Sequence, residues 1–182
     1  MVQGVEHTID FFPGREQRSP EFLAINPLGK VPAIEDDGFV LWETSAILQY
    51  LDAKYGGGQL MPPRNTQAGA LAIQWLDYGE NPLTVIMGEI AAHSGPMPEE
   101  RRVPALVDRG REVAQQIVNV VEQALGSNEW ILGDNFSAAD IMLVFGLMIA
   151  DYLGYVNEGT PRVRAYVDRA MARPAFQRAA GS

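Results

Sequence analysis

The residues best suited to chemistry lie in one short stretch, GKVPAIEDDGFVLWETSAI, from Gly29 to Ile47. Glu43, Thr44 and Ser45 fall where the pattern predicts the first turn of a helix. The first N–H groups of a helix lack intrahelical partners and attract anions, and nearby hydroxyl groups add donors. A carboxylate beside such a site can pair with an ammonium group. The three residues could therefore bind an amino-acid zwitterion.

An X-Pro step, Val31-Pro32, precedes these residues. About 5–6% of X-Pro bonds in folded proteins are cis. If this bond is cis, the Val31 backbone faces outward and can pair with a bound peptide as an edge strand does. The competing interpretation is an ordinary hairpin and helix, in which Glu43 only stabilises the helix start by about 0.3–1 kcal/mol. Spacing alone favours this second interpretation, in which the protein is a helical interaction protein with no peptide to bind.

A hairpin and a helix must position this stretch. Two apolar runs flank Asp36-Asp37-Gly38, a turn sequence because glycine tolerates a positive φ. We therefore interpret the two aspartates as turn residues rather than as an acid/base pair. The elements predicted in this half of the chain are a strand at 5–12, a helix at 20–25, hairpin strands at 32–35 and 39–42, and a helix at 43–55.

The segment GGGQLMPPRN at 56–65 is the best domain boundary, because glycine and proline interrupt regular structure. We predict an N-terminal domain at 1–58, a linker at 59–64 and an all-α domain at 65–182. Helices are expected at 66–92 with a kink at Pro82, at 98–125, from 137 onward, and at 161–173. Apolar spacing assigns to the buried face of the first of these helices Leu71, Trp75, Tyr78, Leu83, Ile86 and Ile90. It assigns to the buried face of the second Val113, Ile117, Val120, Val121 and Leu125.

A second motif, DNFSAADIML, begins the helix at 137. Ser137 and Asp140 have the spacing of a capping box, and Phe136 and Ile141 have that of a hydrophobic staple. We assign Asp140 a structural role rather than a catalytic one.

Composition excludes several function classes. The chain has 182 residues, a formal net charge of −9 and no cysteine. An acidic surface repels phosphate and anionic lipid, so we expect neither nucleic-acid nor membrane binding. His7 and His93 stand alone without ligand spacing, so no metal site is expected. The N-terminus lacks the features of a signal peptide, and we expect a cytoplasmic protein.

Together, NPLGKVPAI and ETSAI resemble the glutathione-binding half of soluble glutathione transferases. The WILGDNFSAADI run and the closing RPAFQRA are similar to bacterial members. The resemblance implies an α/β thioredoxin-like N-terminal domain followed by an all-α domain. It also implies that Pro32 is the cis-proline and that the Val31 backbone meets the cysteinyl part of glutathione. Glu43 and Thr44 match the pair that holds the γ-glutamyl group, with threonine in place of the usual serine.

The resemblance further implies that Lys30 approaches the glycyl carboxylate. The implied activity is attack of the glutathione thiolate on an electrophilic, mostly apolar small molecule, in a homodimeric detoxification enzyme that uses glutathione as co-substrate and no metal. The pocket for the electrophile would come from the helical domain, where Tyr78 and Asn81 are candidates and Met87 and Met97 could contribute apolar surface.

Family members begin with a strand and a helix ahead of the segment that matches Val5, and the catalytic Tyr, Ser or Cys follows that strand. No residue here matches that position, since Ser19 is interpreted as a helix cap and Tyr50 and Tyr55 lie on the wrong side of the motif. We therefore expect an N-terminal domain truncated at its start, and favour a natural start upstream of Met1 over a fragment or a true remnant. The alternative function is a non-catalytic binding or scaffold protein.

Overall fold

The computed structural model describes residues 16–181, which group into two compact units that meet in sequence between Gln59 and Leu60. The strand predicted at 5–12 and His7 lie outside the described residues. No helix among those described is both long and apolar enough to cross a membrane.

In the first unit, a short helix is followed by a hairpin and a second helix. Ser19 caps α1 by accepting a hydrogen bond from the Phe22 N–H at 3.1 Å, as its position before Pro20 predicts. The described sheet consists of two antiparallel strands, and Ala33 pairs with Trp42 at its open end. The bounds are α1 Pro20–Ile25, β1 Ala33–Asp36, β2 Phe39–Trp42 and α2 Thr44–Leu51, with a π turn over Asp52–Gly56.

The described second unit is helical, as predicted. Its α-helices are α3 Gln67–Tyr78, α4 Val85–Ser94, α5 Pro104–Leu125, α6 Ala138–Tyr152, α7 Pro161–Met171 and α8 Pro174–Ala180. A π turn, Gly79–Thr84, joins α3 to α4 at the predicted kink, where Asn81 has non-helical angles and the Asn81–Pro82 peptide is cis.

Two of the predicted helices have the wrong bounds, in each case beside a proline. The helix expected from residue 98 is only a 3₁₀ turn at Glu99–Arg101, and α5 begins at Pro104. Proline disfavours the α conformation in the residue before it, and Val103 is extended. The helix expected at 161–173 ends at Met171, and Pro174 begins α8.

The predicted buried faces are confirmed in part, since the buried residues include Trp75, Leu83, Ile90, Ile117, Val121 and Leu125. They are wrong at three exposed positions, Leu71, Val113 and Val120. On α5 the buried face includes Ala114 and Val118 in place of Val113 and Val120, which still satisfies helical periodicity. Its fully or nearly fully buried apolar residues are Val107, Ala114, Ile117, Val118, Val121 and Leu125.

Two buried carboxylates fix the ends of helices in this unit. Asp140 accepts hydrogen bonds from the Ser137 N–H and hydroxyl, both at 2.7 Å, which confirms the capping-box interaction and its structural role. Glu122 of α5 accepts from the N–H groups of Arg162 and Val163, at 3.2 and 2.8 Å. One helix thus caps the start of another, α7, where a carboxylate is electrostatically favoured.

Candidate functional site

The hairpin register brings together the residues predicted to bind a ligand. Ala33 pairs with Trp42, so Pro32 and Glu43 are the next residues beyond that pair, at the same open end of the hairpin. Lys30 and Val31 lead into β1 from this end, and Thr44 starts α2 beside it. The site residues named from the sequence therefore converge at one edge of the first unit.

Glu43 adopts an unusual backbone conformation at the junction of β2 and α2. Its φ of 76° and ψ of 117° lie outside the regions that L-residues favour, a condition that costs about 1–3 kcal/mol. Its side chain is exposed and forms no capping hydrogen bond with α2. Glu43 therefore does not cap α2 through a side-chain hydrogen bond, and its carboxylate is accessible to a ligand.

The start of α2 offers donors beside that carboxylate. The first backbone hydrogen bond of the helix runs from the Ile47 N–H to the Glu43 carbonyl at 2.9 Å, so the N–H groups before Ile47 precede the helical ladder. Thr44 and Ser45 are half-buried. Together with Glu43, this arrangement can accept a group that carries both an anion and a cation.

The loop ahead of β1 presents main-chain groups to the same edge. The Val31–Pro32 peptide is cis, as the resemblance implies, and Val31 is 48% exposed. Lys30 is exposed as well. The loop is held by Asn26, whose buried amide side chain donates to the Lys30 carbonyl at 2.7 Å. Sequence analysis missed this residue.

At the turn end of the hairpin, Asp36 belongs to a cluster that the sequence does not reveal. From the sequence, Asp36 is predicted only as a turn residue. Its carboxylate accepts hydrogen bonds at 2.6 Å from Lys54, Tyr50 and Tyr55. The bond from the Lys54 ammonium, followed by those from the tyrosines, lowers the pKa of Asp36 from 3.8 to about 2. The bond to Asp36 raises the pKa of Tyr55. We call these four residues the Asp36 clasp.

The candidates in the helical unit have structural partners. The Tyr78 hydroxyl donates to the Ile117 carbonyl at 3.0 Å, and burial raises the pKa of Tyr78. Met87 is fully buried in the core, which corrects its suggested place in a pocket. His93 accepts from the Val103 N–H at 3.1 Å. Within residues 16–181, no three His, Cys, Asp or Glu side chains gather where they could hold a metal ion.

Comparison with known proteins identifies the family. The glutathione S-transferase N-terminal domain family matches residues 4–53, and the corresponding C-terminal domain family matches 104–169. The chain is 32% identical to maleylacetoacetate isomerase of Pseudomonas aeruginosa, over 91% of this chain and 78% of the isomerase. It is 34% identical to human glutathione S-transferase theta-2B, over 91% of this chain and 69% of that protein.

Solved structures agree with this. A glutathione transferase of Burkholderia graminis, crystallised with two glutathione molecules per subunit, has a TM-score of 0.77 at 33% identity, over 92% of this chain and 73% of that one. A Phanerochaete chrysosporium glutathione transferase in complex with oxidised glutathione has a TM-score of 0.81 at 26% identity, over 93% and 80%. The predicted fold class, a thioredoxin-like domain followed by an all-α domain, is confirmed. The chain therefore belongs to the glutathione S-transferase family.

Proposed function

We propose that the protein is a glutathione transferase, which joins the sulfur of glutathione to an electrophilic, mostly apolar small molecule. The observation that carries this proposal is the exposed Glu43 carboxylate, held in a strained conformation beside the first N–H groups of α2. Strained backbone of this kind tends to persist where a function depends on it. The position of Glu43 beside the Val31–Pro32 peptide gives a glutathione molecule partners along its length.

Each site residue has a distinct role in this proposal. Glu43 pairs with the α-ammonium of the γ-glutamyl group, and the start of α2 with the Thr44 hydroxyl binds its α-carboxylate. The Val31 backbone, beside Pro32, pairs with the cysteinyl residue, and Lys30 attracts the glycyl carboxylate. Bound in this way, the thiolate is fixed in position, so attack on an electrophile no longer requires random encounter. We assign no residue in 16–181 to lowering the pKa of the thiol.

We further propose a homodimer that acts in detoxification in the cytoplasm, as the family resemblance implies. The formal net charge of −9 supports a small-molecule substrate rather than nucleic acid or a membrane surface.

Calorimetric titration of glutathione into the 182-residue chain tests the binding half of the proposal. We expect one-site binding that weakens about 10- to 100-fold in Glu43→Ala, since a hydrogen bond to a charged group is worth about 1.5–3 kcal/mol. Glu35→Ala is the matched control, because it removes an exposed carboxylate from β1 without touching the open end of the hairpin. Equal affinities in the two variants would rule out Glu43 as a ligand-binding residue.

Conjugation of glutathione with an activated aryl halide tests the catalytic half. A rate above the uncatalysed reaction that falls in Glu43→Ala supports the transferase. Saturable glutathione binding with no conjugation would instead support a non-catalytic binding protein, and no binding by the folded chain would leave a scaffold role.

A further inference from the structure

Asn26 is a buried polar residue in a largely exposed loop, where Gly29 is buried as well. Asn26 is 2% exposed, whereas Pro27, Leu28 and Lys30 around it are all exposed. A buried amide must satisfy its hydrogen-bonding groups, because burial without partners is costly. The partners of Asn26 therefore show what the residue is buried for.

Both ends of the Asn26 amide bond to the main chain of the same loop. Its Oδ1 accepts from the Leu28 N–H at 3.1 Å, and its Nδ2 donates to the Lys30 carbonyl at 2.7 Å. The partners fix the orientation of the amide, since an N–H can only donate and a carbonyl can only accept. The Asn26 carbonyl also accepts from the Gly29 N–H at 2.8 Å. The loop from Asn26 to Lys30 is therefore tied at three points to one residue.

The Nδ2 bond ends on the carbonyl that belongs to the Lys30–Val31 peptide. Fixing that carbonyl fixes the plane of the peptide, and with it the direction of the Val31 N–H. A second side chain, Arg18, holds the loop at a different place, the Leu28 carbonyl, at 3.3 Å. Comparing variants at Asn26 and Arg18 therefore distinguishes a change in the orientation of the Lys30–Val31 peptide from a general loss of loop stability.

We infer that Asn26 is a positioning residue for glutathione: it orients the Lys30–Val31 peptide, so that the Val31 backbone meets the cysteinyl part of the ligand in register. This inference rests on the proposed function. Asn26 is buried, and it acts on the Val31 backbone through its bond to the Lys30 carbonyl. A misdirected peptide pairs poorly with an extended ligand, because main-chain hydrogen bonds weaken steeply as their angles depart from linear.

The test compares glutathione affinities of the full chain by calorimetry, at a temperature where circular dichroism shows each variant folded. Asn26→Asp keeps the acceptor for Leu28 but, when ionised, cannot donate to the Lys30 carbonyl. We expect about tenfold weaker binding at pH 7, the equivalent of one lost hydrogen bond. The control Arg18→Gln removes the charged contact with the Leu28 carbonyl and should bind within about twofold of the wild type.

A pH series adds a readout that loss of stability alone would not change. In the Asn26→Asp variant, protonation of the introduced carboxyl restores an O–H donor toward the Lys30 carbonyl. The affinity ratio between wild type and Asn26→Asp should therefore approach one as the pH is lowered. Taking this ratio at each pH cancels any pH dependence that the two proteins share. If Asn26→Asp does not fold, Asn26→Ala removes both amide bonds without adding charge and should show the same tenfold loss.

The outcomes separate this inference from the proposed function. Wild-type binding, with Asn26→Asp or Asn26→Ala equal to Arg18→Gln, would overturn the positioning role and leave the glutathione site intact. Absence of binding by the folded wild-type chain would overturn both. A tenfold loss confined to the Asn26 variants, with recovery of Asn26→Asp in acid, supports the assignment.

Discussion

Removal of the Asp140 carboxylate will destabilise the helical unit strongly. The residue is 0% exposed, and its Oδ2 accepts two hydrogen bonds from Ser137 while its Oδ1 accepts from the Ile131 N–H and the Tyr166 hydroxyl, at 2.9 and 2.7 Å. Asp140→Ala leaves all four donors without this acceptor. A buried donor left unsatisfied costs about 1–3 kcal/mol. Because losses within one network are not additive, we expect about 4 kcal/mol in total.

Asp140→Asn removes the charge of the side chain but keeps its shape. The amide keeps one carbonyl oxygen, so it can serve one pair of donors but faces the other pair with its own N–H groups. We expect a loss of about 2 kcal/mol, half of that for alanine. Asp134→Asn is the matched control, because it removes an exposed carboxylate from the same DNFSAAD segment. A surface change of this kind is expected to cost under about 0.5 kcal/mol.

Urea denaturation of the full chain, followed by tryptophan fluorescence, measures these losses. Trp130 is a suitable reporter, since its ring lies 4.9 Å from that of Phe136 and 5.9 Å from that of Tyr166. Tyr166→Phe should cost about 1–2 kcal/mol in the wild type and much less in Asp140→Ala, where its partner is already gone. If Asp140→Ala costs no more than Asp134→Asn, the carboxylate does not organise this unit and the reasoning is refuted.

Two other carboxylates, those of Asp36 and Glu122, are also expected to affect the stability of the folded state. The pKa of Asp36 is about 2, against an ordinary value of 3.8. The clasp therefore stabilises the folded state above about pH 4, and this stabilisation is lost as the pH falls from there towards 2. Thermal melts at a series of pH values should show the loss in the wild type and not in Asp36→Asn. Glu122→Gln keeps an acceptor at the start of α7 but removes its charge, and should cost about 1–2 kcal/mol in urea. The exposed neighbour Gln123→Ala should cost under about 0.5 kcal/mol, and equal losses would contradict capping of α7 by Glu122.

Local signals predicted most of the fold. Ser19 caps α1 before Pro20, Asp37-Gly38 forms the hairpin turn, and Ser137 caps α6, because each feature depends on residues within a few positions. The errors at Pro104 and Pro174 were also local. Each proline excludes the α conformation from the residue before it, a rule that outweighs the favourable acidic residues at 99 and 100.

The missed parts of the site depend on tertiary contacts. Tyr50 and Lys54 are four apart and so share a face of a helical segment, which the sequence shows. Nothing in the sequence says that both meet Asp36, 14 and 18 residues earlier. In the sequence, Asn26 is recognisable only as part of the NPLGKVPAI motif that follows the helix at 20–25. Its burial and its bond to Lys30 follow from the path of the loop, which local propensity does not specify.

The two ends of the hairpin differ in how their carboxylates are bonded. At the turn end, the Asp36 clasp joins the turn to the chain beyond α2 and satisfies the carboxylate within the protein. At the open end, Glu43 forms no capping bond with α2, and we propose that its exposed carboxylate binds the ligand. Strand pairing fixes the two ends relative to each other, because a register slip of one residue would turn every side chain to the opposite face of the sheet. Strain at Glu43 is therefore tolerated where register and clasp fix the backbone on both sides.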